Sequence, residues 1–289
     1  MPSSYSVPAH LIDAMVRAAL DEDGAADDVT TRALIEGDHW GRATIIAKDH
    51  GTVCGLPVAA AAMAALDAEV SFDTLVADGD RVSAGTELAD IEGPFQSILA
   101  AERVALNYLQ HLSGVATLTR EFVDAVTGTR AQILDTRKTT PGMRHLERFA
   151  VRCGGGTNHR FNLASGILIK DNHIAAARQR GIEDLSDILE LARSAAPIGM
   201  RIEIEVTTLA DVRGALEGHA DIILLDNMAP DDMRAAVDLI GGRAIVEASG
   251  GVSLANVRAV AETGVDFISI GRLTHSAPAL DISLEAGLA

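Results

Sequence analysis

The sequence predicts an α/β protein in which a βα barrel follows a smaller α+β domain, and three observations carry that prediction. From about Ala131 onward, short runs rich in Ile, Val and Leu ("AQILDT", "GILIKD", "RIEIEV", "ADIILLD", "RAIVEAS", "VDFISIG") alternate with amphipathic segments, as parallel strands joined by helices do. Glu205, Asp226 and Glu247 follow one another at intervals of 21 residues, about the length of one strand-helix unit. The segments between, such as "LADVRGALEG" and "LANVRAVAETG", each close on a Gly where a helix is expected to stop. Six strands are fewer than the eight of a closed TIM barrel, so an open doubly wound sheet stands as the alternative.

Residues 1–115 read as the α+β domain. An acidic helix leads into short strands with Gly-Asp turns in "GRATIIAKDHGTVCG" and "EVSFDTLVADGDRVSAGTELADIEG", and these run into the helical "FQSILAAERVALNYLQHLSGVATLTREFVDAV". Residues 116–273 form the barrel, and the tail, 274–289, is expected to fold back on the first domain. After the first barrel strand, Thr140 is placed to cap a helix with Pro141 at its first position. Leu146, Phe149, Ala150 and Cys153 then fall at helical spacing as its buried face, while Arg144, Arg148 and Arg152 recur every four residues along another. No low-complexity linker separates the halves.

Composition narrows the function. With 48% hydrophobic residues but only 3% aromatics, Ala, Val, Leu and Ile must fill the core. The formal net charge is −17, yet the window from Arg137 to Lys170 holds seven Lys and Arg (Arg137, Lys138, Arg144, Arg148, Arg152, Arg160, Lys170) against Glu147 alone. An acidic chain with one basic island suits a small multiply charged anion better than nucleic acid or a membrane surface. Two cysteines, Cys54 and Cys153, make neither a disulfide framework nor a zinc motif in the sequence, which fits a reducing cytosol. The opening "MPSSYSVPAHLIDAMVRAAL" lacks the pattern of a secretory signal, and the near-apolar run Val53 to Leu66 is too short to span a bilayer, so a soluble protein is expected.

In a parallel barrel, groups at the C-terminal strand ends converge on one mouth. Here those ends carry Arg137 and Lys138, then Lys170 and Asp171, then Glu205, Asp226, Glu247 with Ser249, and Gly271. One half of the rim reads as basic and the other as acidic, a match for a ligand bearing phosphates together with hydroxyls or a metal ion. "GGGTNHR" matches neither the dinucleotide nor the Walker fingerprint, but Arg160 after it can clamp a carboxylate through two parallel hydrogen bonds. Cys153 reads as a core thiol.

The motifs "DTRKTTPG", "AVRCGGGTNHRFNL", "LIKDNHI", "IEIEV", "ILLDNM", "EASGGV" and "ISIGRLTHS", in that order, with "DDVTT" and "AERVALNYLQHLSGVAT" before them, resemble the quinolinate phosphoribosyltransferases, also called nicotinate-nucleotide pyrophosphorylases (carboxylating). The resemblance spans nearly the whole chain. It implies an open α/β barrel of about six or seven parallel strands, with an N-terminal α+β domain packed on a partner's barrel in a homodimer; assembly into a hexamer stays open. It also implies a cytoplasmic decarboxylating glycosyltransferase of de novo NAD biosynthesis. With Mg²⁺, such an enzyme converts quinolinate and phosphoribosyl pyrophosphate (PRPP) to nicotinate mononucleotide, pyrophosphate and CO₂.

By the same resemblance, Arg137, His159 and Arg160 bind the quinolinate carboxylates beside Thr136, and Arg103 reaches the site of the neighbouring subunit. Lys138 and Lys170 lie near the pyrophosphate and the reacting ring. Glu205 and Asp226 hold ribose hydroxyls and Mg²⁺, directly or indirectly. Ser249, Gly250, Gly251, Ser269, Ile270 and Gly271 form the loops at the 5′-phosphate, where helix N-termini would add backbone donors. The consecutive-acid motif of the purine-salvage transferases is missing. A molybdenum-transport-associated homologue shares parts of the pattern and is the lesser alternative. The residues taken alone also leave two rivals: a barrel aldolase with Lys170 as Schiff base, and a non-catalytic phosphometabolite-binding regulator.

Overall fold

A computed structural model describes residues 7–287 of the chain. The first six residues, which open the segment examined in the sequence for a secretory signal, and the last two of the tail lie outside the described residues. Two compact units interleave along the chain. One comprises the chain through Arg120, Thr139–Gly155 and the chain from Leu273; the other comprises Glu121–Lys138 and Gly156–Arg272.

The first unit opens with α1 (Ala9–Asp23), which buries Val16 and Leu20 and stops at Gly24. That glycine has φ 68°, and its N–H turns back to the Asp21 and Leu20 carbonyls, a left-handed ending that costs glycine little. The "DDVTT" motif proves to be a cap: the Asp28 carboxylate accepts from the N–H groups of Thr30 (2.9 Å) and Thr31 (3.0 Å) at the start of α2 (Val29–Leu34). Then come β1 (Trp40–Ala47), β2 (Gly51–Thr52), the Ala-rich buried helix α3 (Leu56–Leu66), β3 (Ser71–Thr74), β4 (Arg81–Val82), β5 (Glu87–Pro94) and the long α4 (Phe95–Ala125). A C-terminal strand, Ile282–Gly287, pairs antiparallel with β1 to give a sheet ordered from that strand through β1 and β5 to β3. Gly114 on α4 explains how the tail gets in: a Cβ there would lie 2.0 Å from the Pro278 carbonyl oxygen. Leu280 N–H and the Ile282 carbonyl then bond Gln110 at 3.0 and 2.7 Å.

The helix after the first barrel strand, α5 (Arg144–Cys153), belongs to this unit and departs from the sequence expectation. It starts at Arg144 with no side-chain cap; Pro141 and Gly142 form a preceding turn in which Gly142 has φ 81°. Thr140 donates its N–H to Glu147 Oε2 (3.0 Å) instead of capping. Glu147, the one acid of the basic window, is wholly buried, with its other oxygen 3.0 Å from His111 Nε2. Its buried residues are Leu146, Glu147, Arg148, Ala150 and Val151, so Phe149 and Cys153 are only partly covered and Arg148 is no solvated stripe residue. The end of α5 presses on α4, where a Cβ on Gly154 would lie 2.5 Å from Ala116 O and from Thr119. This side-by-side packing places α5 in the same compact unit as α4 through Arg120.

The second unit is a six-stranded parallel sheet: β6 (Gln132–Leu134), β7 (Ile167–Ile169), β8 (Ile202–Val206), β9 (Ile222–Asp226), β10 (Ile245–Ser249) and β11 (Phe267–Ser269). Its order, β6-β11-β10-β9-β8-β7, is the cyclic order of a barrel opened between β6 and β7, without the reversal that defines a doubly wound sheet. At the opening, Thr157 runs beside β6, donating to Ile133 O (2.8 Å) and accepting from Asp135 N–H (3.2 Å). The register puts Ile133, Ile169, Ile204, Ile223, Val246, Ala248 and Ile268 on one buried apolar face. Glu203, Glu205, Leu224, Asp226, Glu247, Ser249 and Ser269 share the other, because side chains alternate with period two.

Helices α6 (Asp171–Arg178), α7 (Leu185–Ala195), α8 (Leu209–Glu217), α9 (Pro230–Ile240) and α10 (Val257–Ala261) connect the strands. Thr208 caps α8 by accepting from Asp211 N–H (3.1 Å). Gly218 closes α8 where the sequence expects the helix to stop, with φ −80°. It is there for room, since a Cβ would lie 2.6 Å from Leu189, and His219 next to it takes the positive φ of 55°. None of the described helices is long and apolar enough to cross a membrane.

Candidate active site

The C-terminal ends of the barrel strands assemble a charged cluster within the second unit. Asp135, the residue after β6, is fully buried. Its carboxylate accepts from Asn158 Nδ2 and from His159 N–H, both at 2.7 Å, which pins the "TNHR" segment across the barrel opening. His159 Nε2 then stands 3.2 Å from Glu203 Oε2 and 3.6 Å from Glu247 Oε2, both buried. Burial alone opposes a charge on His159. The Glu203 hydrogen bond and the charges of Glu247, Glu203 and Asp135 outweigh it and raise its pKa above the ordinary value. Burial and the Glu203 charge push Glu247 up to about 7, against the pull of His159, a hydrogen bond from Ser269 and the charge of Lys170.

Arg160 donates from its guanidinium to Gly166 O at 2.8 Å. Burial, then the neighbouring positive charge of Arg137, lowers its hold on the proton while Glu203 raises it, so two guanidiniums face one region and repel. Arg137 Nε is itself buried without a hydrogen-bond partner. Thr136 Oγ1 accepts from Lys138 N–H (3.0 Å) and sets the turn that separates them. Across the β7–β8 seam, Lys170 Nζ meets Glu205 Oε2 at 2.6 Å. The basic and acidic halves of the rim are therefore joined by contact and are not held apart.

Beyond this cluster, Asp226 lies at the end of β9 with its Oδ2 accepting from Asn227 Nδ2 (2.8 Å). Ser249 pairs in register with Asp226, and the chain after it turns through Gly250 (φ 88°) and Gly251 (φ 61°). A Cβ on Gly250 would fall 2.3 Å from Asn227 Oδ1, so only glycine lets the loop close on that amide. Ser269 is buried with its hydroxyl bonded to Glu247, while Ile270 N–H bonds Leu134 O (3.0 Å) and Gly271 follows at the strand end. The helix start expected after β10 is not beside the Gly250–Gly251 turn: α10 begins at Val257. After β11, the short helix Arg272–His275 does begin directly at Gly271. Arg103 is an exposed residue of α4 in the first unit, 3.4 Å from Glu102.

Sequence reasoning missed Asp135, Asn158, Glu203 and Asn227, and noted Glu247 only as a strand end. Glu203 was recoverable, because "IEIEV" places it two residues before Glu205 and hence on the same face.

An open α/β barrel whose strand-end site sets arginines and a lysine against carboxylates is the architecture of a barrel-type phosphoribosyltransferase. Models of the quinolinate phosphoribosyl transferase C-terminal and N-terminal domains match residues 115–285 and 28–113. The chain belongs to the quinolinate phosphoribosyltransferase family. It is 40% identical to a probable nicotinate-nucleotide pyrophosphorylase [carboxylating] of Synechocystis, covering 98% of this chain and 95% of that protein. It is 42% identical to the Bacillus subtilis protein of the same description, over 92% and 90% of the two chains. Among solved structures, the nicotinate-nucleotide pyrophosphorylase of Francisella tularensis superposes with a TM-score of 0.91 at 35% identity, each chain covered to 98%.

Proposed function

We propose that this chain transfers the phosphoribosyl group of PRPP to quinolinate with decarboxylation, giving nicotinate mononucleotide, pyrophosphate and CO₂ in de novo NAD biosynthesis. The observation that carries the reading is the pairing of Arg137 and Arg160, two partly buried guanidiniums whose mutual repulsion a dicarboxylate relieves. His159, whose pKa Glu203 and Glu247 raise, joins them on that side.

The ring nitrogen of quinolinate bonds to C1 of the ribose as the bond from C1 to the pyrophosphate oxygen breaks. Positive charge develops on the sugar and negative charge on the leaving group; Glu205 and Asp226 stabilise the first, Lys138 and Lys170 the second. The nitrogen is then cationic, so the bond from C2 to its carboxylate can break with the electron pair left on C2, which takes up a proton. Glu205 and Asp226 offer hard oxygen donors of the kind Mg²⁺ prefers, each with an oxygen not engaged by Lys170 or Asn227. Mg²⁺, when bound there, supplies positive charge to the departing pyrophosphate. Ser249, Gly250, Gly251 and Gly271 receive the 5′-phosphate through backbone N–H groups, while Ile270 anchors its loop through its N–H on Leu134 O.

The exposure of Arg103 supports its delivery to a second subunit's site in a homodimer, and a count of two cysteines, too few for a disulfide framework, supports a cytoplasmic setting. Release of labelled CO₂ from carboxyl-labelled quinolinate, dependent on PRPP, tests the reading. Binding of both compounds without turnover would replace it with a regulator, and a borohydride-trapped adduct on Lys170 would replace it with an aldolase.

A further inference from the structure

The two cysteines of the chain, far apart in sequence, meet in the first unit beside Asp78. The Cys54 and Cys153 sulfurs and a carboxylate oxygen of Asp78 all lie within 4.8 Å of one another. We infer that Cys54, Cys153 and Asp78 form a binding site for a thiophilic divalent cation of the zinc class.

Each ligand sits on backbone that is independently tied down. Cys54 N–H donates to Ser113 Oγ on α4 (2.9 Å), and that hydroxyl donates back to the Cys54 carbonyl (3.2 Å). Asp78 Oδ1 accepts from Gly55 N–H (2.9 Å) and Leu56 N–H (3.1 Å) at the first turn of α3. Cys153 is the last residue of α5, held where Gly154 lets that helix end press against α4. Gly79, with φ 97°, passes close enough that a Cβ there would lie 3.4 Å from the Cys153 carbonyl oxygen. Cys54 precedes α3 and Asp78 lies in the turn before β4, so two hydrogen-bonded loop residues and one helix-end residue present the three donors, held in place as a metal site needs.

The polar accounting points to a missing positive charge. Asp78 Oδ2 is buried with no hydrogen-bond partner, and a buried acceptor in that state costs free energy. A divalent cation supplies that charge: both thiols release their protons to solvent, two sulfur–metal bonds and one oxygen–metal bond form, and the orphaned oxygen gains its partner. Two sulfurs with one carboxylate select zinc-like ions over Mg²⁺ or Ca²⁺, which require oxygen donors. Three protein ligands leave a tetrahedral ion one further position, and the partial exposure of Cys153 and Asp78 leaves a way in. None of the three residues belongs to the strand-end cluster.

The test uses the full chain, reduced and freed of metal by chelation, titrated with Co²⁺ and then Zn²⁺. One equivalent of Co²⁺ should produce thiolate-to-metal charge-transfer absorption that Zn²⁺ abolishes and excess Mg²⁺ leaves unchanged. Cys153→Ser should lose most of that absorption, and Asp78→Asn, which keeps both thiols, should weaken Zn²⁺ binding by about tenfold to 100-fold. Zinc should also protect Cys153 from thiol reagents. The inference is overturned if the reduced protein shows two titratable thiols and no charge-transfer band with Co²⁺. Equal Zn²⁺ affinity in the wild type and Cys153→Ser overturns it too, as does a mass two hydrogens lower that marks the pair as a disulfide resistant to reduction.

Discussion

Replacing Glu247 by Gln should stabilise the protein in alkaline solution and do little in acid. The folded site holds the Glu247 carboxyl at about 7 against an ordinary value of 4.5. A raised carboxyl pKa means that the folded chain binds more proton than the unfolded chain between those two values, so rising pH through that window favours unfolding. The 2.5-unit difference corresponds to about 3 kcal/mol of destabilisation, fully present only above pH 7. Gln has the shape of the protonated acid and no charge to ionise. Its advantage over the wild type should therefore grow by about 2 kcal/mol between pH 5.5 and pH 8. Urea unfolding at the two pH values, at one protein concentration, measures it. A stability difference independent of pH would refute the reasoning, since it would mean that Glu247 is ionised in the folded site at both.

Three further outcomes follow from the same geometry. Arg160→Ala should lower kcat/KM for quinolinate at least about 100-fold, on the order of 2.7 kcal/mol, given that a fixed charge about 4 Å away contributes roughly 4 kcal/mol at an effective dielectric of about 20; near-wild-type kinetics would remove it from the site. Glu205→Gln leaves Lys170 without its 2.6 Å partner and should cut kcat more than tenfold, roughly 1.4 kcal/mol or more, with the fold unchanged by circular dichroism. Gly114→Ala forces a methyl onto the Pro278 carbonyl and should lower the unfolding midpoint, at a cost of roughly 1–3 kcal/mol, with accelerated proteolysis of the C-terminal segment as a second readout.

Much of this was legible in the letters. The six barrel strands stand where the Ile/Val/Leu runs put them, and the basic window delivers Arg137 and Lys170 to strand ends and Arg160 to the segment before β7, all in one unit. Asp28 as the α2 cap and the strand-end carboxylates are local features that spacing alone reveals. The start of α5 was misread because Thr140 and Pro141 form a good capping pattern in isolation, whereas the buried Glu147 carboxylate takes the Thr140 N–H. Gly218 does end α8 as the spacing indicated, but its need for room beside the Leu189 side chain of another helix was not legible along the chain.

The sequence by itself determined the period-two and helical patterns, the concentration of positive charge in one window, and the order of the strand-end groups, because these depend on neighbours along the chain. Only the tertiary structure decided that Lys170 pairs with Glu205, that His159 lies between two buried glutamates, that Ser269 turns to Glu247, and that Cys54 and Cys153 share Asp78. Those pairings depend on distance through space, and both the energy of a charge and its pKa are set by what burial removes and which partner replaces the water.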